Sequence, residues 1–274
     1  MKHFKIINLN DLNIQHGGAS ELTVLSYNVS WEAMTSTNQG NFKLCITDGL
    51  GEGVCKSNIL DNISQNIKKY KPDFATFQEA AEHTDIIDLF DSNKYDNFVN
   101  MSEKETMLTI WNTTKFLLVK AYGGQFEEGR PFAIVILQNK KSKKNLALIN
   151  IHTAHKVDTQ KTIFDILNKF IKTNIGPTIK KSVNRVIIAG DFNRNIYEDE
   201  TSDYSIKFVD IFNLKRTNNN KGTCCSILGY GHKFNFDHVI DSKSTISKKI
   251  LGNSIKNYKY PASDHVLVIV KLKN

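Results

Sequence analysis

Polar residues of a few types collect at the ends of apolar runs in this chain, and those types suit hydrolysis at phosphorus. The clusters are Asn28, Gln78-Glu79, His152, Asp191-Phe192-Asn193 and Asp264-His265, with Asp237-His238 inside a sixth apolar run. Burying so many ionisable groups without partners costs several kcal/mol each, so they are expected to converge on one another or on a metal. Carboxylates, histidines and asparagines, with no cysteine and no nucleophilic serine motif among them, suit a hard oxygen-ligated cation. Mg²⁺ binds through one or two carboxylates and keeps waters and substrate phosphate oxygens in its shell, and Mn²⁺ takes the same donors. In the matching reaction the metal neutralises the scissile phosphate, a base orients water, and a cation meets the developing charge.

Each residue alone has an ordinary alternative. Gly190 to Asn193 reads as a turn. Glu79 could open a helix, Asn28 could close an Asx turn, and Asp264 with Ser263 could cap. His152 could be a satisfied core histidine. Asp237 is the hardest to explain away, because the run Phe234 to Ile240 would bury it unpaired.

Short strands must position these residues. Leu22 to Val29, Phe74 to Phe77, Val186 to Ala189, Phe234 to Ile240 and Val266 to Leu272 read as strands. Met107–Trp111 and Phe116–Lys120 are expected to form a hairpin across residues 112–114. Pro131–Leu137 and Leu146–Ile151 are expected to form another, with a lysine-rich turn at 140–144. Helical spacing starts at Ser57, a candidate N-cap, and stops before Pro72. A second helical face covers 163–171. Residues 31–55 carry four glycines without a clean period and read as a long loop. No repeat, linker or composition break divides the chain, which points to one domain over 1–274 with a core of about 20–272, as packed β layers flanked by helices.

Composition narrows the class. The hydrophobic fraction of 40% argues against disorder. No apolar run approaches the roughly 18 residues of a spanning helix, and the first residues lack the apolar core of a secretion signal. Cys45, Cys55, Cys224 and Cys225 match no zinc spacing. They read as reduced thiols, which gives an intracellular expectation. The net charge of +8 fits a polyanionic partner and fits a merely lysine-rich composition equally well.

Taken in chain order, the motifs resemble those of the endonuclease/exonuclease/phosphatase superfamily, the DNase I-like fold. The matching pieces are Ser26-Tyr27-Asn28-Val29, Pro72-Asp73-Phe74 with Phe77-Gln78-Glu79, Asn150-Ile151-His152-Thr153, Gly190-Asp191-Phe192-Asn193, Phe236-Asp237-His238 and Ser263-Asp264-His265. The resemblance implies an α/β (α+β) four-layer sandwich of two mostly antiparallel sheets with helices outside. It implies that Glu79 is the main Mg²⁺ ligand, supported by Asn28 and Asp264. It also implies that Asp191 aligns or deprotonates the attacking water, that Asn193 donates to the phosphate, and that His265 is the essential histidine, oriented by Asp237. His152 resembles the second histidine of the DNase I branch, and Arg130 its phosphate-contacting arginine. Ser30 stands where many abasic-site endonucleases carry an acidic residue, which points away from that specificity. The activity implied is a Mg²⁺-dependent phosphodiesterase acting as a monomer on nucleic acid, DNA ahead of RNA, and foremost a DNA endonuclease. The alternatives are a phosphatase or phosphodiesterase on a small or lipid-linked phosphate, such as an inositol phosphate, and a catalytically silent binding module.

Overall fold

The computed structural model describes residues 21–35, 54–103, 105–126, 129–155, 183–193, 222–224, 234–243, 246–251 and 263–273. In chain order the elements are β1 (Leu22–Asn28), α1 (Trp31–Thr35), α2 (Val54–Tyr70), β2 (Phe74–Gln78), α3 (His83–Ile87), β3 (Tyr95–Met101) and β4 (Thr106–Asn112). They continue with β5 (Phe116–Gln125), β6 (Pro131–Asn139), β7 (Asn145–His152), β8 (Val183–Asp191), β9 (Asp237–Asp241), β10 (Ile246–Leu251) and β11 (Val268–Leu272). The strands build a six-stranded sheet, β10-β11-β1-β2-β4-β3, and a five-stranded sheet, β5-β6-β7-β8-β9. Pairing is antiparallel except for β1 with β2 and β7 with β8. This is the expected α/β sandwich of two mostly antiparallel sheets.

The period of two explains why the central strands read as unbroken apolar runs. In β1, Leu22 and Val24 face the second sheet, while Leu25 and Tyr27 pack with Ile59 and Ile63 of α2. In β7, Leu146 and Leu148 face the first sheet, and Ala147, Ile149 and Ile151 face the other way. A strand covered on both faces needs apolar side chains on both.

The layer between the sheets grades from apolar to polar along its length. Val24, Phe74, Leu148 and Ile187 fill its middle. One step further, Gln78 Nε2 donates to Asn150 Oδ1 at 2.8 Å. Asn150 Nδ2 in turn donates to the carbonyls of Phe77 and Leu108, at 3.2 and 3.0 Å. These bonds fix the register of one sheet on the other, and continuing the same period leads to Asn28, His152, Asp191 and Asp237. The opposite end is closed by Arg185, which donates from Nε and Nη2 to the two Asp241 oxygens at 2.8 Å each, both residues buried.

Several expectations need correction. The hairpin of 107–111 with 116–120 does not form: β4 and β5 lie in different sheets, and the turn at 113–115 carries the chain between them. β4 pairs instead with β2 and with β3, the latter a strand the sequence reading passed over. Asp237 is the first residue of β9 rather than an interior one. The second helix begins at Val54, so Ser57 lies inside it. Residues 31–35 of the expected loop are helical. Cys55 and Cys224 are disulfide-bonded, not reduced; chain spacing does not reveal which thiols a fold brings within bonding reach. The intracellular expectation therefore loses the support it drew from the cysteines. The other two cysteines, residues 36–53 and the helix expected at 163–171 lie outside the described residues. Among the described residues no helix is long and apolar enough to cross a membrane.

Candidate active site

Strands from both sheets end at the same pole, and their terminal side chains meet there. Asp191 is the hub. It closes β8 between two register partners, His152 of β7 and Asp237 of β9, and is 1% exposed. Asn28, at the end of β1, spans the gap between the sheets: its Nδ2 donates to Glu79 Oε1 at 3.0 Å and to Asp191 Oδ2 at 3.1 Å. Glu79 follows β2 with φ of 56°. The Trp31 backbone N–H donates to its Oε2 at 2.9 Å. Ser30 and Asn193 also have positive φ, at 61° and 47°. Three non-glycine residues in the left-handed region around one cluster represent strain of order 1–3 kcal/mol each, a cost that surrounding structure must over-determine.

Two histidine–carboxylate pairs flank the hub. His265 Nδ1 donates to Asp237 Oδ2 at 2.9 Å, and its Nε2 lies 3.6 Å from Asp191 Oδ2. His152 Nδ1 lies 2.6 Å from Glu105 Oε1, and its Nε2 lies 3.4 Å from the same Asp191 oxygen. Arg130 donates to His152 Nε2. Supporting bonds hold the carboxylates still. Thr223 Oγ1 accepts from the Asp237 N–H at 2.9 Å. Ser263 Oγ donates to the Asn28 carbonyl at 2.9 Å. The Asn193 N–H donates to Asp191 Oδ1 at 2.7 Å.

The two pairs are in different charge states. Burial alone would lower the His265 pKa, but Asp237, Asp191 and Asp264 overcome it and hold the ring protonated well above its ordinary value. His152 is pushed the other way, down to about 4, by burial and then by the Arg130 charge. Burial pushes the Glu105 carboxyl up to about 8. The His152–Glu105 pair is therefore neutral at pH 7, and Nε2 keeps a lone pair for the Arg130 N–H. A cationic and a neutral imidazole on opposite sides of one carboxylate is an arrangement suited to dividing acid and base roles.

This charge state makes the stability of the metal-free chain depend on pH. Folded Glu105 keeps its proton to about 8, against an ordinary 4.5. The folded chain thus binds the extra proton within that window, and stability falls as pH rises through it. His152 acts oppositely between about 4 and its ordinary 6.5, where the unfolded chain binds the extra proton and stability rises with pH. Above that range Glu105 and His265, both holding their protons above the ordinary range, make stability fall as pH rises. Thermal melts in chelator from pH 6.5 to 8 are expected to show stability falling, with Glu105 supplying on the order of 1–2 kcal/mol of the fall, and Glu105→Gln is expected to lessen the slope by that part while the His265 part remains. Equal slopes for both proteins would show that Glu105 is already ionised.

The structure brings together Asn28, Glu79, Arg130, His152, Asp191, Asn193, Asp237 and His265. Asp264 joins them by its charge on His265, and burial holds its own carboxyl above the ordinary value. One Asn193 amide hydrogen goes to the Thr153 carbonyl at 2.7 Å. Glu105 is the residue the sequence reading missed, although it shows the same signal as the others: a carboxylate directly before an apolar strand.

For a cation, ligand atoms of Asp191, Asp237 and His265 lie within 4.8 Å of one another. Two of the three are already bound to each other through His265 Nδ1, and a protonated ring is no ligand. The carboxylates of Glu79 and Asp191, both bonded by the Asn28 amide, are harder, oxygen-only donors. They fit Mg²⁺ or Mn²⁺ better than the histidine-containing trio does.

No family model matches the chain, and no curated protein matches it by sequence. Solved structures do. A Bacteroides thetaiotaomicron endonuclease/exonuclease/phosphatase family protein superposes with a TM-score of 0.67 at 19% identity, covering 93% of this chain and 98% of that one. The mannosyl-6-phosphatase Bt3783 of the same organism gives 0.68 at 19% identity, over 92% and 100%. The human Nocturnin catalytic domain with a bound sulfate anion gives 0.63 at 14%, over 92% of each chain. These likenesses show that the chain has the DNase I-like fold.

Proposed function

We propose that this chain is a divalent-metal-dependent phosphoester hydrolase that cleaves phosphodiester bonds in nucleic acid, DNA ahead of RNA. The observation that carries the reading is the placing of Asp191 between two histidine–carboxylate pairs, with Glu79 tied to it through Asn28. Glu79, Asp264 and Asn28 would hold the cation, which when bound neutralises charge on the scissile phosphate. Asp191 holds the attacking water in line and takes its proton. Protonated His265, fixed by Asp237, and Arg130 stabilise the added negative charge on phosphorus, and His265 donates a proton to the leaving oxygen. His152 stays neutral and keeps Arg130 turned into the site. The excess of lysine supports a polyanionic substrate.

A second reading, a phosphomonoesterase, is favoured by the likeness to the mannosyl-6-phosphatase. One assay separates the two. Supercoiled plasmid, single-stranded RNA and mannose 6-phosphate are each incubated with the chain in Mg²⁺ and in EDTA. Plasmid nicking in Mg²⁺ that vanishes in EDTA is expected. Turnover of mannose 6-phosphate alone would move the assignment to the second reading. Cleavage undiminished by EDTA would remove the metal from the mechanism.

A further inference from the structure

The pole opposite the catalytic residues carries a surface that the chemistry above does not use. The turn between β6 and β7 holds Lys140, Lys141, Lys143 and Lys144, all exposed. His152 closes the eight-residue β7 that leaves this turn, a span of roughly 23 Å. Beside the turn runs the start of β5, the edge strand of its sheet, with Phe116 opposite Asn139. The Lys140 N–H donates to the Lys115 carbonyl at 2.8 Å, which locks the turn to the strand.

Three consecutive apolar residues of β5 stand in water here: Leu117, Leu118 and Val119 are 46%, 45% and 49% exposed. Sheet edges are ordinarily blunted with charge rather than left apolar. The register shifts between Leu118 and Lys120, which breaks the regular ladder that another strand would need for pairing. Lys115 at the start of the strand is committed to the buried Asp73 at 2.6 Å.

We propose that this pole is a docking surface for an anionic lipid bilayer. Leu117, Leu118 and Val119 enter the headgroup region, and the lysines of the 140–144 turn meet the lipid phosphates and carboxylates. A bilayer surface satisfies both halves of the patch, whereas a nucleic acid would use the lysines and leave the apolar residues in water. Docked this way, the chain holds its catalytic pole away from the bilayer, facing solvent. The proposal is independent of the hydrolytic reading.

The test is co-sedimentation of the full chain with vesicles of phosphatidylcholine alone and with about 30% phosphatidylserine added, the anionic component that attracts lysines. Pelleting with the anionic vesicles only, reversed by high salt, is expected. Lys141→Gln with Lys144→Gln should lower partitioning by roughly 10-fold or more, and Leu117→Ser with Val119→Ser should lower it by a similar factor. Circular dichroism melts and unchanged hydrolysis confirm that both variants are folded. Equal pelleting with neutral vesicles, no pelleting, or indifference to either variant overturns the proposal. So does binding of a short oligonucleotide that the lysine variant alone abolishes, which makes the patch a nucleic-acid surface. A concentration-dependent dimer that the Leu117/Val119 variant dissociates makes it a self-association edge and overturns the proposal too.

Discussion

Asp191→Asn is expected to lower turnover by roughly 10³-fold or more with little loss of stability, since removal of a general base alone costs about 10²–10⁴. Asparagine keeps the shape of the side chain and can still accept the Asn193 N–H through its oxygen, losing the bond from Asn28 Nδ2 at a cost of about 1 kcal/mol. The charge is lost, however, and that charge faces both histidine Nε2 atoms, at 3.4 and 3.6 Å. His265 loses one of the carboxylates that keep it protonated, so acid and base functions fail together. Asp191→Asn combined with His265→Gln should therefore be scarcely worse than the worse single variant, as for groups that act as a unit. Steady-state kinetics in Mg²⁺, beside melting curves, measure both effects. Retention of more than about a tenth of the activity by Asp191→Asn would place the chemistry elsewhere.

Gly190→Ala should be the most damaging glycine-to-alanine substitution among the described residues. Gly190 has φ of 149°, and a Cβ there would sit 1.9 Å from the Ile151 carbonyl oxygen. The obstacle is backbone, in the β7–β8 ladder that sets His152 opposite Asp191, so no rotamer change relieves it. Either β8 parts from β7 or the chain fails to fold. The expected loss is about 4 kcal/mol or more. Whatever folded protein remains should be inactive, because its two facing residues are out of register. Soluble yield, melting temperature and activity report it. A variant that melts within roughly 2 °C of the parent, the shift that a loss of only about 1 kcal/mol produces in a chain of this size, with ordinary activity would falsify this account of the glycine.

Much of this was legible in the sequence, for a physical reason. Asn28, His152, Asp191 and Asp237 stand at even spacing from inward-facing core residues, so the alternation that marks the core also leads to the site. The strands buried on both faces were readable as apolar runs. What escaped lacked that contrast. β3, Tyr95–Met101, mixes asparagine and aspartate with apolar residues and is only half-buried at a sheet edge, so it shows neither a clean alternation nor a run. The turn at 113–115 carries ordinary turn residues, and nothing local says whether the chain returns to the same sheet or crosses to the other. Glu105 sits one residue before a strand, with the signal of its neighbours but no family motif around it. The disulfides depend on three-dimensional proximity, which spacing does not encode.

Asn28 reaches from a glutamate on one sheet to an aspartate on the other, and this has a consequence for biogenesis. Neither half of the sandwich owns a working centre. The six-stranded sheet carries Asn28, Glu79, Glu105 and, just ahead of β11, His265, but not His152, Asp191 or Asp237, while the five-stranded sheet carries those three without the glutamate tied through Asn28. Under the proposed function, hydrolytic competence would switch on only when the halves clasp, which would make catalysis a built-in readout of complete assembly and keep partly folded chains inert.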